Sequence, residues 1–118
     1  MKPDTLQALR DALRDFAAQR DWERFHTAKN LAMALSGEAG EVIEHFQWLT
    51  AEQSAALDAA TREAVSLELA DVLLYLVRLA DVLDIDLADA AQRKLAINAR
   101  RYPVDKAHGR ADKYDRLG

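Results

Sequence analysis

The chain has 118 residues, half of them hydrophobic and 31% charged, with a net charge of −4 at neutral pH. That length bounds it to one domain with a real core, small enough that association with further copies would help to cover it. With no cysteine, a disulfide framework and a thiolate metal site are excluded and a structural zinc is disfavoured.

Four Gly and two Pro in an Ala- and Leu-rich chain is the composition of an all-α protein. The charge is unevenly spread. Residues 1–92 hold 8 Lys/Arg against 17 Asp/Glu, and residues 93–118 hold 8 against 3. A basic end on an acidic body reads in three ways: a nucleic-acid tail, cations for phosphates, or Arg and Lys complementing a helix C-terminus. The polar start, Met1-Lys2-Pro3-Asp4-Thr5, has no apolar run of the signal-peptide kind. Val72 to Leu83, interrupted by Arg78 and Asp81, is too short to cross a bilayer. The default expectation is a cytoplasmic protein without a membrane partner.

The first helix is expected from Thr5 to about Gln19, capped by Asp4 or Thr5, with Leu6, Leu9, Leu13, Phe16 and Ala17 as its apolar stripe. Arg20 to His26 breaks the period and carries Trp22, Phe25 and His26. Thr27 caps a second helix running to about Gln47. From Trp48 to Asp58 the pattern loosens, and Thr50 and Ser54 offer starts for a turn or short helix. Asp58 or Thr61 opens the third long helix, to about Leu83. Asp84-Ile85-Asp86 breaks the chain, and Asp86 caps a fourth helix reaching about Arg101. Pro103 ends it. Residues 105–118 read as a polar, basic tail, extended or partly disordered, after a domain spanning 1–104. The architecture expected is a four-to-five-helix bundle.

Four acids stand out. Glu38 and Glu41 on the second helix, and Glu68 and Asp71 on the third, are each spaced i, i+3, so each pair projects from one helix face. At about 100° per residue, Glu38 shares an arc with Leu31, Leu35, Val42, Phe46 and Leu49, and Glu68 shares one with Val72, Tyr75 and Leu79. Glu41 and Asp71 each lie about 60° to one side. Acids pointing into a packing seam repel one another unless cations neutralise them. The doubled E-x-x-(E/D) therefore suggests a divalent-metal site, and an all-carboxylate donor set favours Mg²⁺, with Mn²⁺ as the alternative. A di-iron bundle would need two Glu-x-x-His pairs, and the chain does not supply two. Ion pairing of these acids with the plentiful Arg is the plainer alternative. Gly37 and Gly40 suggest close approach of a neighbouring helix or ligand.

Leu69, Leu73, Leu76 and Val77 make the third helix apolar on the side away from Glu68 as well. Only a narrow polar strip near Glu63, Arg78 and Asp81 remains. A second copy covering that outer face is the simplest solution, so a homo-oligomer is expected.

These segments resemble the MazG-like, all-α nucleotide pyrophosphohydrolases, most closely the dCTP pyrophosphatase branch. Arg20-Asp21-Trp22-Glu23-Arg24-Phe25-His26 resembles that branch's aromatic segment, and Gly37 to Trp48 its first metal helix. Glu68 to Val77 resembles the second metal helix, and Lys94 with Ile97 to Pro103 the last one. The likeness covers roughly residues 10–104. It implies that Glu38, Glu41, Glu68 and Asp71 are the catalytic ligands of Mg²⁺. It also implies that Trp22, Phe25, His26 and Trp48 line a nucleoside pocket, that Tyr75 touches substrate, and that Lys94, Asn98 and Arg101 contact phosphate or ribose. The expected reaction is hydrolysis of a nucleoside triphosphate, dCTP-like or a modified pyrimidine deoxynucleotide, to the monophosphate and pyrophosphate. The expected assembly is a dimer or tetramer, with no nucleic-acid partner. In one departure, Leu13 stands where the animal dCTP pyrophosphatases carry a pocket His. The alternative from another class is a non-catalytic helical module that binds metal or nucleotide and oligomerises.

Overall fold

The computed structural model describes residues 5–117, and every described element is helical. The chain divides into two compact units, the first ending at Ile85 and the second beginning at Asp86. The first holds α1 (Leu6–Gln19), a 3₁₀ turn (Glu23–Phe25), α2 (Ala28–Glu44), α3 (Ala51–Ser54) and α4 (Ala59–Val82). The second holds α5 (Leu87–Arg101), α6 (Val104–Ala107) and a 3₁₀ turn (Tyr114–Arg116).

The helix starts follow cap chemistry. Thr5, Thr27, Thr50, Asp58 and Asp86 each accept a hydrogen bond from the backbone N–H three residues on, which satisfies one orphan donor of the helix that follows. At Thr50 the cap is reciprocal: Gln53 also accepts from the Thr50 N–H at 3.0 Å, completing a capping box. Two helices stop in the same way. After α1, Asp21 sits in the left-handed region (φ 54°), the Trp22 N–H returns to the Ala17 carbonyl and the Asp21 N–H to Ala18. After α4, Asp84 (φ 55°) does likewise, with Ile85 bonded to Ala80 and Asp84 to Asp81. This is the Schellman closure, with Asp tolerated where Gly is more usual.

In the first unit, α4 packs along α2 and against α1. The side chains below a tenth exposed are Ala17, Leu31, Val65, Val77 and Ala80, mostly small ones that let the helices approach closely. Three expectations are corrected. The second helix ends at Glu44 and not near Gln47, because its ladder tightens into three-residue turns: His45 bonds to Val42, Phe46 to Ile43, and Leu49 to Phe46. The C-terminal stretch is not featureless, since it contains α6 and a 3₁₀ turn in which Tyr114 meets Tyr102 edge to face, with Arg101 over its ring. And the polar strip expected near Glu63, Arg78 and Asp81 is covered at the last two: their side chains are only 11% and 10% exposed, and Asp81 pairs with both Arg78 and Arg14 of α1.

Candidate active site

α2 and α4 bring three of the four acids together. Glu38, Glu41 and Glu68 each offer a carboxylate oxygen, and these atoms lie within 4.8 Å of one another. Asp71, a turn further along α4, stands outside that trio, yet its charge reaches Glu38. Burial lifts the Glu38 carboxyl above its ordinary value of 4.5, with Asp71 and Glu41 adding to the lift. Glu68 is raised likewise by burial, then by the charge of Glu41, by a hydrogen bond to Glu41 and by the charge of Glu38, while His45 opposes. One oxygen of Glu68, Oε2, is sealed from water and has no hydrogen-bond partner.

Among the described residues no ion pair neutralises any of these four acids, so the plainer Arg-pairing explanation does not account for them. An orphaned buried oxygen, two carboxyls raised by burial and then by neighbouring acids, and an all-oxygen donor set fit a hard divalent cation. A Cβ at Gly37 or Gly40 would meet nothing within 4 Å, and neither has a positive φ, so no close approach within the chain requires them.

A cavity of about 310 Å³ opens between α1, the turn after it and α4, lined by Leu13, Phe16, Trp22, His26, Asp71, Leu74, Tyr75 and Arg78. That volume is at the lower end for small-ligand sites. The Schellman closure after α1 folds Trp22 back toward the helix it has left, so its ring meets Phe16 edge-on at 5.7 Å and His26 at 6.3 Å. Arg78 donates from Nε to His26 Nδ1 at 3.0 Å and from a terminal nitrogen to Asp81 at 3.3 Å. Burial, then the Arg78 charge, holds His26 below its ordinary value, with Glu23 opposing.

Of the expected pocket residues, Trp22, His26, Tyr75 and Asp71 line this cavity, and so does Leu13. Phe25 and Trp48 do not: Phe25 carries the Arg24 guanidinium over its ring, and Trp48 is 86% exposed. Lys94, Asn98 and Arg101 belong to the second unit, on α5. Phe16, Leu74 and Arg78 were missed. A signal for Arg78 was present, since Asp71, Tyr75 and Arg78 fall at i, i+4, i+7 on one face of α4.

The MazG-like family model matches residues 33–117. The chain belongs to the MazG-like family. Among its relatives, dCTP pyrophosphatase 1 of Bos taurus and that of Homo sapiens are each 45% identical over 115 residues, covering 96% of this chain and 68% of theirs. The crystal structure of a pyrophosphatase from Archaeoglobus fulgidus superposes with a TM-score of 0.79 at 38% identity, over 87% of this chain and 96% of that one. The MazG-like fold thus accounts for the helical architecture. No helix among the described residues is long and apolar enough to cross a membrane.

Proposed function

We propose that this MazG-like chain hydrolyses a nucleoside triphosphate between its α and β phosphorus atoms, releasing the monophosphate and pyrophosphate, with a dCTP-like or modified pyrimidine deoxynucleotide as substrate. It is an enzyme of the nucleoside triphosphate pyrophosphohydrolase class, acting in nucleotide-pool sanitation in the cytoplasm. The observation that carries the reading is the position of Asp71. This residue lines the cavity and its charge also reaches the acid trio through Glu38, so base pocket and acidic cluster adjoin.

Glu38, Glu41 and Glu68, with Asp71 beside them, would hold Mg²⁺ or, alternatively, Mn²⁺, which when bound neutralises phosphate oxygens and acidifies the attacking water. Trp22 and Phe16 offer aromatic faces to the base, and Tyr75 reaches the substrate from the same helix face as Glu68. Holding the base fixes where phosphorus meets water. Glu38 or Glu41 takes the water's proton. Lys94, Asn98 and Arg101 complete the proposed set as phosphate or ribose contacts, and Phe25 and Trp48 as further pocket aromatics. The fold and site are assigned to residues 1–104, with 105–118 as a basic appendage.

We further propose a homo-oligomer, a dimer or tetramer. Leu67, Leu69, Leu73 and Leu76 of α4 and Met33 and Ile43 of α2 are all exposed, as is Trp48, which is more large apolar surface than a monomer usually leaves bare. Analytical ultracentrifugation should show a single assembled species at micromolar concentration. For the chemistry, dCTP, dUTP, dTTP and base-modified triphosphates are incubated with and without Mg²⁺, and pyrophosphate release is followed. Turnover of a pyrimidine triphosphate only with the metal supports the reading, and release from none of them ends it.

A further inference from the structure

A relay of polar side chains that the hydrolytic chemistry does not use ends in the cavity wall, where Arg78 and His26 line it. It begins at Arg14 on α1, whose guanidinium grips Asp81 with two bonds of 2.8 and 2.6 Å. Asp81 in turn accepts from Arg78, and Arg78 donates from Nε to Nδ1 of His26, beyond the turn that follows α1. The direction of that last bond is fixed by chemistry. A guanidinium stays protonated and has no lone pair to offer, so Arg78 can only donate. The nitrogen that receives its hydrogen must carry a lone pair. His26 Nδ1 is therefore bare, and the single proton of the neutral ring sits on Nε2. Burial and the adjacent cation both disfavour a charged ring, and Glu23 is the one group that works against them. Among the described residues nothing accepts from that Nε2–H.

We infer that Arg78 is a positioning residue that locks His26 in the Nε2–H form, so that the ring meets the bound base as a hydrogen-bond donor and selects an edge carrying an acceptor. This rests on the nucleotide-pocket reading above. Asp81 and Arg14 anchor Arg78, so the tautomer of a ring at the end of one turn is set by an ion pair between α1 and α4. Asp71, Tyr75 and Arg78 are the other polar groups of the lining, and Leu13, Phe16, Trp22 and Leu74 make the remaining wall apolar. In such a setting a donor facing another donor leaves both unsatisfied, which discriminates far more strongly than a change of shape. The selected edge therefore presents a ring-nitrogen lone pair or a carbonyl oxygen to His26.

The test begins without any nucleotide. In ¹⁵N-labelled full-length protein at pH 8, a long-range ¹H–¹⁵N spectrum, assigned by loss of one ring in His26→Gln, should show a lone-pair-type Nδ1 and a protonated Nε2. Arg78→Met should erase that preference and raise KM for the triphosphate about tenfold, with a smaller change in kcat. In the His26→Gln background the same Arg78→Met change should cost little, because a Gln amide donates without help. A protonated Nδ1 or a charged ring in the unmodified protein overturns the inference. So does an Arg78→Met protein with unchanged tautomer and KM. Should Arg78→Met fail to fold, Asp81→Asn and the spectrum of the unmodified protein decide the matter. If no triphosphate is hydrolysed, the proposed function falls while the spectrum still reports on the ring.

Discussion

Arg14 and Asp81, 67 positions apart in sequence, close a two-pronged ion pair that ties α1 to α4 beside the cavity. Asp81 is 90% covered while Arg14 is half exposed, so water screens one side of the pair only. The hydrogen bonds from Arg14, then its charge and that of Arg78, hold the Asp81 carboxyl below its ordinary 3.8 against the cost of burial.

Asp81→Asn should therefore cost on the order of 2 kcal/mol, less than a fully buried pair because Arg14 remains partly solvated. Urea denaturation measures it. A carboxyl lowered on folding stabilises above its unfolded value, so this contribution is complete above pH 3.8 and fades as pH falls below it. His26, also lowered on folding, adds a loss that begins as pH drops below 6.5. In Asp81→Asn the fade beneath 3.8 should shrink to the part that Asp58, lowered by its hydrogen bonds from Thr61, contributes.

Two of the clustered acids behave in the opposite sense. Glu38 and Glu68 are raised above 4.5, so the metal-free protein loses stability as pH climbs from that value through their folded ones. Mg²⁺ should raise the melting temperature at pH 7.5, and the increment should shrink on acidification while ordinary carboxylates are still ionised. Glu68→Gln should remove the increment, lower turnover at least 100-fold and leave the helical circular dichroism intact. Glu41→Gln should lose turnover in the same way. Full rate in either variant would refute the site assignment.

The two tryptophans separate the cavity from the remaining aromatics. Nucleotide should change the fluorescence of Trp22, which lines the cavity, so a Trp22→Phe protein should lose the larger part of the response and a Trp48→Phe protein the smaller part. Retained quenching in Trp22→Phe alone would instead place the base against Trp48.

Gly37 offers a stability test. Nothing within 4 Å would meet its Cβ and its backbone is ordinary helix, so Gly37→Ala should gain up to about 1 kcal/mol in chemical denaturation.

Much of this molecule was legible in its residues. The Thr27, Asp58 and Asp86 caps were readable because capping depends on local chemistry, and the acid pairs because a helical period fixes which side chains share a face. What escaped notice depends on tertiary partners. Arg78 and Asp81 looked like a solvated strip because nothing along α4 announces that Arg14 will arrive from α1. The end of α2 was placed too far along because the tightening after Glu44 breaks no propensity rule. Trp48 and Phe25 resembled pocket residues by motif, and their exposure could be learned only once the chain was folded.

α4 supplies Glu68, Asp71, Tyr75 and Arg78 from one uninterrupted rod. Ten residues separate Glu68 from Arg78, about 15 Å of rise with no loop to stretch or slacken. The helix thus works as a gauge with its graduations cut in the backbone, and one inserted residue between those ends would swing them apart by about 100°. Retuning this scaffold for another base therefore falls to the facing wall, to Leu13, Phe16 and Trp22, while the gauge itself stays as it is.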